Sequence, residues 1–236
     1  MAEPKQSSAF NRTTMTDNAQ LEIASEDLDA VIFDFDGVLV ESTSIKTDAF
    51  AKLFESYGSE IVSRVVRHHL ENSGVSRYEK IAHYHAMLIG SPITSDEVNA
   101  EADRFGAIVE DLVVGAPEVA GATSLLSSLR NQAKPAFVAS ATPHAELVRI
   151  LERRGMSDHF KDVYGSPTTK LNAAGEIISR YDFSPERVLF IGDARADFEA
   201  ATGAGCRFVG RLINGEGSPF PAETVTVASL EGLVLV

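Results

Sequence analysis

Residues Ala30-Val31-Ile32-Phe33 form an unbroken apolar run that ends abruptly in Asp34-Phe35-Asp36-Gly37. An apolar run without alternation suits a strand buried on both faces, the kind found in parallel sheets covered by helices on each side. Similar runs recur at Ala136-Phe137-Val138-Ala139, Val188-Leu189-Phe190-Ile191 and Arg207-Phe208-Val209, with a weaker one near Val163-Tyr164. Helical patterns over 121–131, 143–154 and 196–203 separate the later runs, so the chain reads as βα units. The fold class that follows is α/β, an open parallel sheet flanked by helices.

About a hundred residues separate the first two runs, far more than a crossover requires. Ile45, Ala49, Phe50, Leu53, Phe54 and Tyr57 fall at helical spacing, and Gly58 supplies a stop. Further helical patterns cover about 60–70 and 77–89, and Thr94 with Glu97 forms a capping-box signature opening another helix to about Val113. The expectation is an inserted all-α module over 43–115, with the sheet core made of 27–42 and 116–236. Residues 1–26, rich in polar and charged side chains without periodicity, read as a flexible tail.

The 236 residues are 44% hydrophobic, enough for a proper core, and carry 34 acidic against 21 basic residues for a net charge of -13. That balance argues against nucleic acid as a partner. It also means that an anionic ligand needs a local pocket of cations and amides. No apolar run reaches membrane-spanning length and the N-terminus lacks a signal pattern, so no membrane association is expected. With the single Cys206, the reading is cytoplasmic, as a monomer or homodimer.

Two carboxylates leaving the carboxyl end of a parallel strand stand where open α/β sheets hold their ligands. An isolated D-x-D-G is often only a turn, but the third strong run ends in Gly192-Asp193-Ala194-Arg195-Ala196-Asp197, another acidic cluster at a strand exit. Adjacent strands would bring the clusters together, and crowded carboxylates call for a cation. Hard oxygen donors favour Mg2+ over zinc. The strand at 136–139 leads to Ser140-Ala141-Thr142-Pro143, where Thr142 and Pro143 suit a helix cap and first position, and Ser140 with nearby amides suits an anion. Lys170 follows Ser166-Pro167-Thr168-Thr169 at the same sheet edge. The histidines at 68, 69, 83 and 85 are spaced one or two apart, which does not place them on a shared helix face, and they read as packing or surface residues.

In order, the D-x-D-G strand, the Ser after the second strand, the Lys and G-D-x-x-x-D resemble the haloacid dehalogenase superfamily over about residues 30–210. The resemblance implies a Rossmann-like core with the first strand central and a cap inserted after the first motif, matching 43–115. It also implies Asp34 as nucleophile, Asp36 as acid/base, and Ser140 and Lys170 holding the phosphoryl group. Mg2+ would be ligated by Asp34, Asp193 and the backbone carbonyl of Asp36, with Asp197 in or just behind that shell. Gly74-Val75-Ser76-Arg77 resembles the specificity segment of the β-phosphoglucomutase-like branch, where the Arg grips a second anionic group. Lys80, on the same helix face as Arg77, is expected to join it at substrate. Where the mutases carry a hinge His that protects the phosphoenzyme, this chain has Lys46, a third candidate substrate contact, and the reading tilts toward hydrolysis. The expected function is a Mg2+-dependent phosphatase acting on a small phosphorylated metabolite. The alternatives are a phosphosugar mutase and, from another class, a non-catalytic phosphate-binding module.

Overall fold

The computed structural model describes residues 14–15, 21–213 and 217–236. The apolar run at its centre is strand β3 (Ala30–Phe33), reached after β1 (Thr14–Met15) and β2 (Leu21–Ile23). Four helices follow: α1 (Thr43–Leu53), α2 (Ser59–Glu71), α3 (Arg77–His83), which runs on into a π-helical turn over Tyr84–Ile89, and α4 (Ser95–Gly115). Then come α5 (Ala122–Asn131), β4 (Ala136–Pro143), α6 (His144–Arg153), β5 (Phe160–Ser166), α7 (Lys170–Tyr181), β6 (Val188–Gly192), α8 (Arg195–Ala204) and β7 (Arg207–Arg211). Two short strands, β8 (Thr226–Val227) and β9 (Leu233–Leu235), close the order.

The main sheet runs β5-β4-β3-β6-β7-β8, every pair parallel, with β3 in the middle. Alternation along β3 explains its apolar composition. Val31 and Phe33 join a cluster with Leu126 of α5 and Leu147 and Ile150 of α6, while Ala30 and Ile32 join one with Ala173 and Ile177 of α7 and Ala201 of α8. Both faces are therefore dry, and the carboxyl ends of β3, β4 and β6 open at one edge.

The helices of 43–115 pack around their own aromatic centre. Phe50 lies 4.4 Å from Phe105 and 5.7 Å from Tyr84, and Phe54 lies 5.4 Å from Tyr84, ring centre to ring centre. The expected capping box opens α4, with Glu97 N donating to Thr94 Oγ1 at 3.3 Å and Thr94 N donating to Glu97 Oε2 at 2.8 Å. No described helix is long and apolar enough to cross a membrane.

Two local expectations are corrected. Residues 1–13 and 16–20 of the expected flexible tail lie outside the described residues, but Leu21–Ile23 is ordered as a strand in parallel register with Leu233–Leu235. Leu21 and Ile23 alternate with Glu22 and are buried, a two-residue period too short to stand out in a polar segment. The helix expected from Pro143 starts at His144, because Pro143 keeps an extended ψ of 136° and ends β4. Thr142 caps nothing; its hydroxyl is turned to Asp36.

Candidate active site

The turn after β3 is fixed from both sides. Asp34 N donates to Ile191 O at 2.9 Å, so the pairing with β6 persists one residue past the strand. Gly37 turns with φ +75°, and a Cβ there would lie 2.2 Å from Asp193 Oδ2, so only glycine lets the two acidic segments approach. From the end of β7, buried Arg211 donates to Gly37 O at 2.9 Å and grips Glu41 with both terminal nitrogens at 2.9 and 2.6 Å. Gly192 plays the matching part on β6: a Cβ there would fall 2.2 Å from the Asp197 Cβ.

These turns bring the acidic residues of the two motifs together. Asp34, Asp193 and Asp197 each offer a carboxylate oxygen, all within 4.8 Å of one another. Lys170, the first residue of α7, reaches into the group. Its Nζ lies 2.8 Å from Asp34 Oδ2 and 2.5 Å from Asp197 Oδ1, and all three side chains are nearly sealed from solvent. The other Asp197 oxygen accepts from Ala194 N at 3.0 Å, so both oxygens of Asp197 have protein partners and it stands behind Lys170. Asp34 Oδ1 accepts from Phe35 N at 2.7 Å.

Burial pushes Asp34 up to about 7; Lys170 pulls against this, while Asp197 and Asp36 add to it. Asp193 is raised well above the carboxylate range by burial and by the charges of Asp34 and Asp197. Burial also disfavours the Lys170 ammonium, but Asp197 and Asp34 outweigh it and hold Lys170 above the ordinary lysine range. One ammonium thus faces three carboxylates. An oxygen-only donor set with excess negative charge fits a hard divalent cation such as Mg2+, with Asp34 and Asp193 as the side chains best placed to hold it.

Asp36 has a separate set of partners. It accepts from Ser42 Oγ at 2.6 Å, from Thr142 Oγ1 at 3.0 Å and from Lys46 Nζ in a close ion pair. Burial opposes its ionisation, but Lys46 and the hydroxyl donors prevail and hold it below the ordinary carboxylate range. Lys46 also donates to Thr142 Oγ1 at 2.8 Å.

Asp34, Asp36, Lys46, Lys170 and Asp193 line one cleft of about 60 Å³, whose far wall is formed by Arg77, Lys80, His69 and Phe50 from the helices of 43–115. Ser140 is not on that wall. It is buried with its hydroxyl accepting from Thr142 N at 3.1 Å, and it lines a neighbouring cleft of about 390 Å³ that shares Gly74, Val75, Ala141 and Lys170 with the first. Arg77 and Lys80, expected to act as a pair, have different partners. Arg77 makes a buried two-pronged ion pair with Glu146 of α6, at 2.9 and 2.6 Å, whereas Lys80 lies 3.0 Å from His69 Nδ1. The histidines take no part in a metal cluster among the described residues. His68 stacks on His83 at 4.3 Å between ring centres, and His69 and His85 are buried.

Sequence reasoning missed Ser42, His69, Glu146 and Arg211. Arg211 left a usable signal, a charged residue ending an apolar strand at the ligand edge. The partners of Glu146 and His69 lie on other helices and leave no local pattern.

Comparison with known proteins agrees with this arrangement. The family model for haloacid dehalogenase-like hydrolases matches residues 31–211. The chain is 26% identical over 213 residues to a phosphoglycolate phosphatase of Escherichia coli (strain K12), covering 78% of this chain and 81% of the relative. It is 27% identical over 193 residues to a phosphorylated carbohydrates phosphatase of Thermotoga maritima, covering 75% and 82%. Among solved structures, a β-phosphoglucomutase from Clostridium difficile superposes with a TM-score of 0.69 at 21% identity, over 86% of this chain and 92% of the other. The chain belongs to the haloacid dehalogenase-like hydrolases.

Proposed function

We propose that this protein is a Mg2+-dependent phosphatase that hydrolyses a small phosphorylated metabolite through a phosphoryl group carried on Asp34. The observation that carries the reading is the contact of Lys170 with both Asp34 and Asp197 beside Asp193, because a carboxylate attacks a phosphate dianion only where positive charge suppresses their repulsion. Mg2+ held by Asp34, Asp193 and the Asp36 carbonyl would supply further positive charge for the phosphoryl oxygens.

In the first half of the reaction an Asp34 carboxylate oxygen forms a bond to phosphorus as the bond to the leaving oxygen breaks. Lys170 neutralises the oxygens it faces, and Asp36, carrying the proton it took from water in the preceding turnover, delivers that proton to the departing alcohol. In the second half Asp36 takes a proton from the attacking water, and the bond from phosphorus to Asp34 breaks. The Lys46 ion pair favours the ionised form of Asp36, the form this second half requires. The helices of 43–115 act as a cap over the cleft, limiting the access of bulk water to the step.

Sugar phosphates and short phosphorylated acids are the substrate classes named for the relatives. Purified protein screened against a panel of such compounds should release phosphate with Mg2+ and stop with EDTA. Asp34→Asn should abolish release while the fold persists; ordinary turnover by that variant would remove the mechanism. A second reading, a phosphosugar mutase, is favoured by the structural likeness to β-phosphoglucomutase. Bisphosphate-primed interconversion without net phosphate release would establish it instead.

A further inference from the structure

We propose that Lys80 is the specificity-determining residue, meeting a carboxylate carried close to the transferred phosphoryl group, while Arg77 fastens the helical module to the sheet. The inference rests on the phosphatase reading above. Three ammonium groups line the cleft, and two have carboxylate partners: Lys46 with Asp36, and Lys170 with Asp34 and Asp197. Lys80 is only 2% exposed, yet among the described residues no carboxylate lies within ion-pair distance of it. Its polar contact is His69 Nδ1, and the Phe50 ring centre lies 5.8 Å from its Nζ.

His69 orients the ammonium without neutralising it. Burial and the charges of Lys80 and Lys46 push His69 down to about 3, so the ring is neutral and its Nδ1 accepts. Burial, Lys46 and Lys170 push Lys80 itself down to about 7. An anion at its side of the cleft would restore its charge and relieve the repulsion among the three ammonium groups.

Arg77 is unsuited to that task, since both of its terminal nitrogens bind Glu146 on α6. Gly106 leaves space for the pair: a Cβ there would lie 3.0 Å from Glu146 Oε2 and 3.1 Å from Arg77 Nη1. Charge selects the anion. A carboxylate carries the single negative charge that one ammonium balances, whereas a phosphate dianion would leave a charge over, because Arg77 is committed to Glu146. Lys80 and Asp34 line the same small cleft, so the carboxylate that Lys80 meets lies close to the transferred phosphoryl group.

The test compares 2-phosphoglycolate with ethyl phosphate, which lacks only the carboxylate. Wild-type protein should favour 2-phosphoglycolate in kcat/KM, and Lys80→Met should cut that preference about 10- to 100-fold, mainly through KM. Arg77→Met should lower both substrates together. A preference unchanged within about threefold in Lys80→Met overturns the proposal, as does a selective loss in Arg77→Met. If wild-type protein turns over neither compound, the phosphatase reading fails, and calorimetric titration with 2-phosphoglycolate decides the subsite separately. Binding at least about tenfold weaker in Lys80→Met upholds it, and equal or undetectable binding in both proteins overturns it. Thermal melts confirm that each variant is folded.

Discussion

Breaking the Arg77–Glu146 pair should destabilise the protein more than any surface ion pair it contains. The side chains are 6% and 8% exposed, the contact is two-pronged, and it joins α3 to α6. Removing one partner strands a buried charge, which costs about 3–5 kcal/mol. At roughly 2–4 °C per kcal/mol for a chain of this size, Arg77→Met or Glu146→Gln should lower Tm by about 10 °C. The two single variants should differ. In Glu146→Gln the guanidinium keeps the Phe105 ring, 4.6 Å away, whereas in Arg77→Met the carboxylate loses the guanidinium that pairs with it, so Arg77→Met should be the less stable of the two. Replacing both together, as Arg77→Met with Glu146→Leu, should recover most of the loss, since an apolar pair of similar volume leaves nothing unpaired. By contrast, Arg195 and Glu199, exposed on α8, should change stability by under about 1 kcal/mol when separated. Denaturation of wild type, Arg77→Met, Glu146→Leu and the protein carrying both gives the double-mutant cycle. Single variants within about 1 kcal/mol of wild type, or a double variant as unstable as the sum of the singles, would refute the reasoning.

Metal and pH should be linked through Asp34. Its folded value is raised to about 7, above the ordinary carboxylate range, so the stability it contributes is complete in acid and is lost as pH rises through about 7. Protein stripped with EDTA should therefore melt lower at about pH 8 than at about pH 6, and Mg2+ should raise Tm more at the higher pH. A pH-independent Mg2+ effect would count against metal at these carboxylates. Gly37→Ala places a methyl 2.2 Å from Asp193 Oδ2 on a backbone at φ +75°; kcat/KM should fall at least about a hundredfold, and near-normal activity would show that the two turns can separate without cost.

The site's main elements were legible because they are local. The Asp34-Phe35-Asp36-Gly37 turn ends an apolar run, and the Asp193 and Asp197 cluster ends another; parallel pairing of β3 with β6 makes the two adjacent. The helices of 43–115 announce themselves by spacing and caps. What escaped depends on distance. Strand β2 pairs with β9 at the far end of the chain, and nothing in three residues signals that partner. Arg77 was expected to meet an anionic group of the substrate, but in the structure both of its terminal nitrogens bind Glu146, 69 positions later. Thr142 looked like a helix cap because it precedes Pro143, yet the extended backbone of Pro143 delays the helix and frees the hydroxyl for Asp36.

The covalent step can be observed directly. Protein mixed with Mg2+ and a turned-over phosphomonoester, quenched in acid and reduced with borohydride, should yield a peptide in which Asp34 alone has become homoserine, the product of a reduced aspartyl phosphate. Phosphate release that proceeds with Asp34 unmodified, or with the label at another residue, would contradict the account.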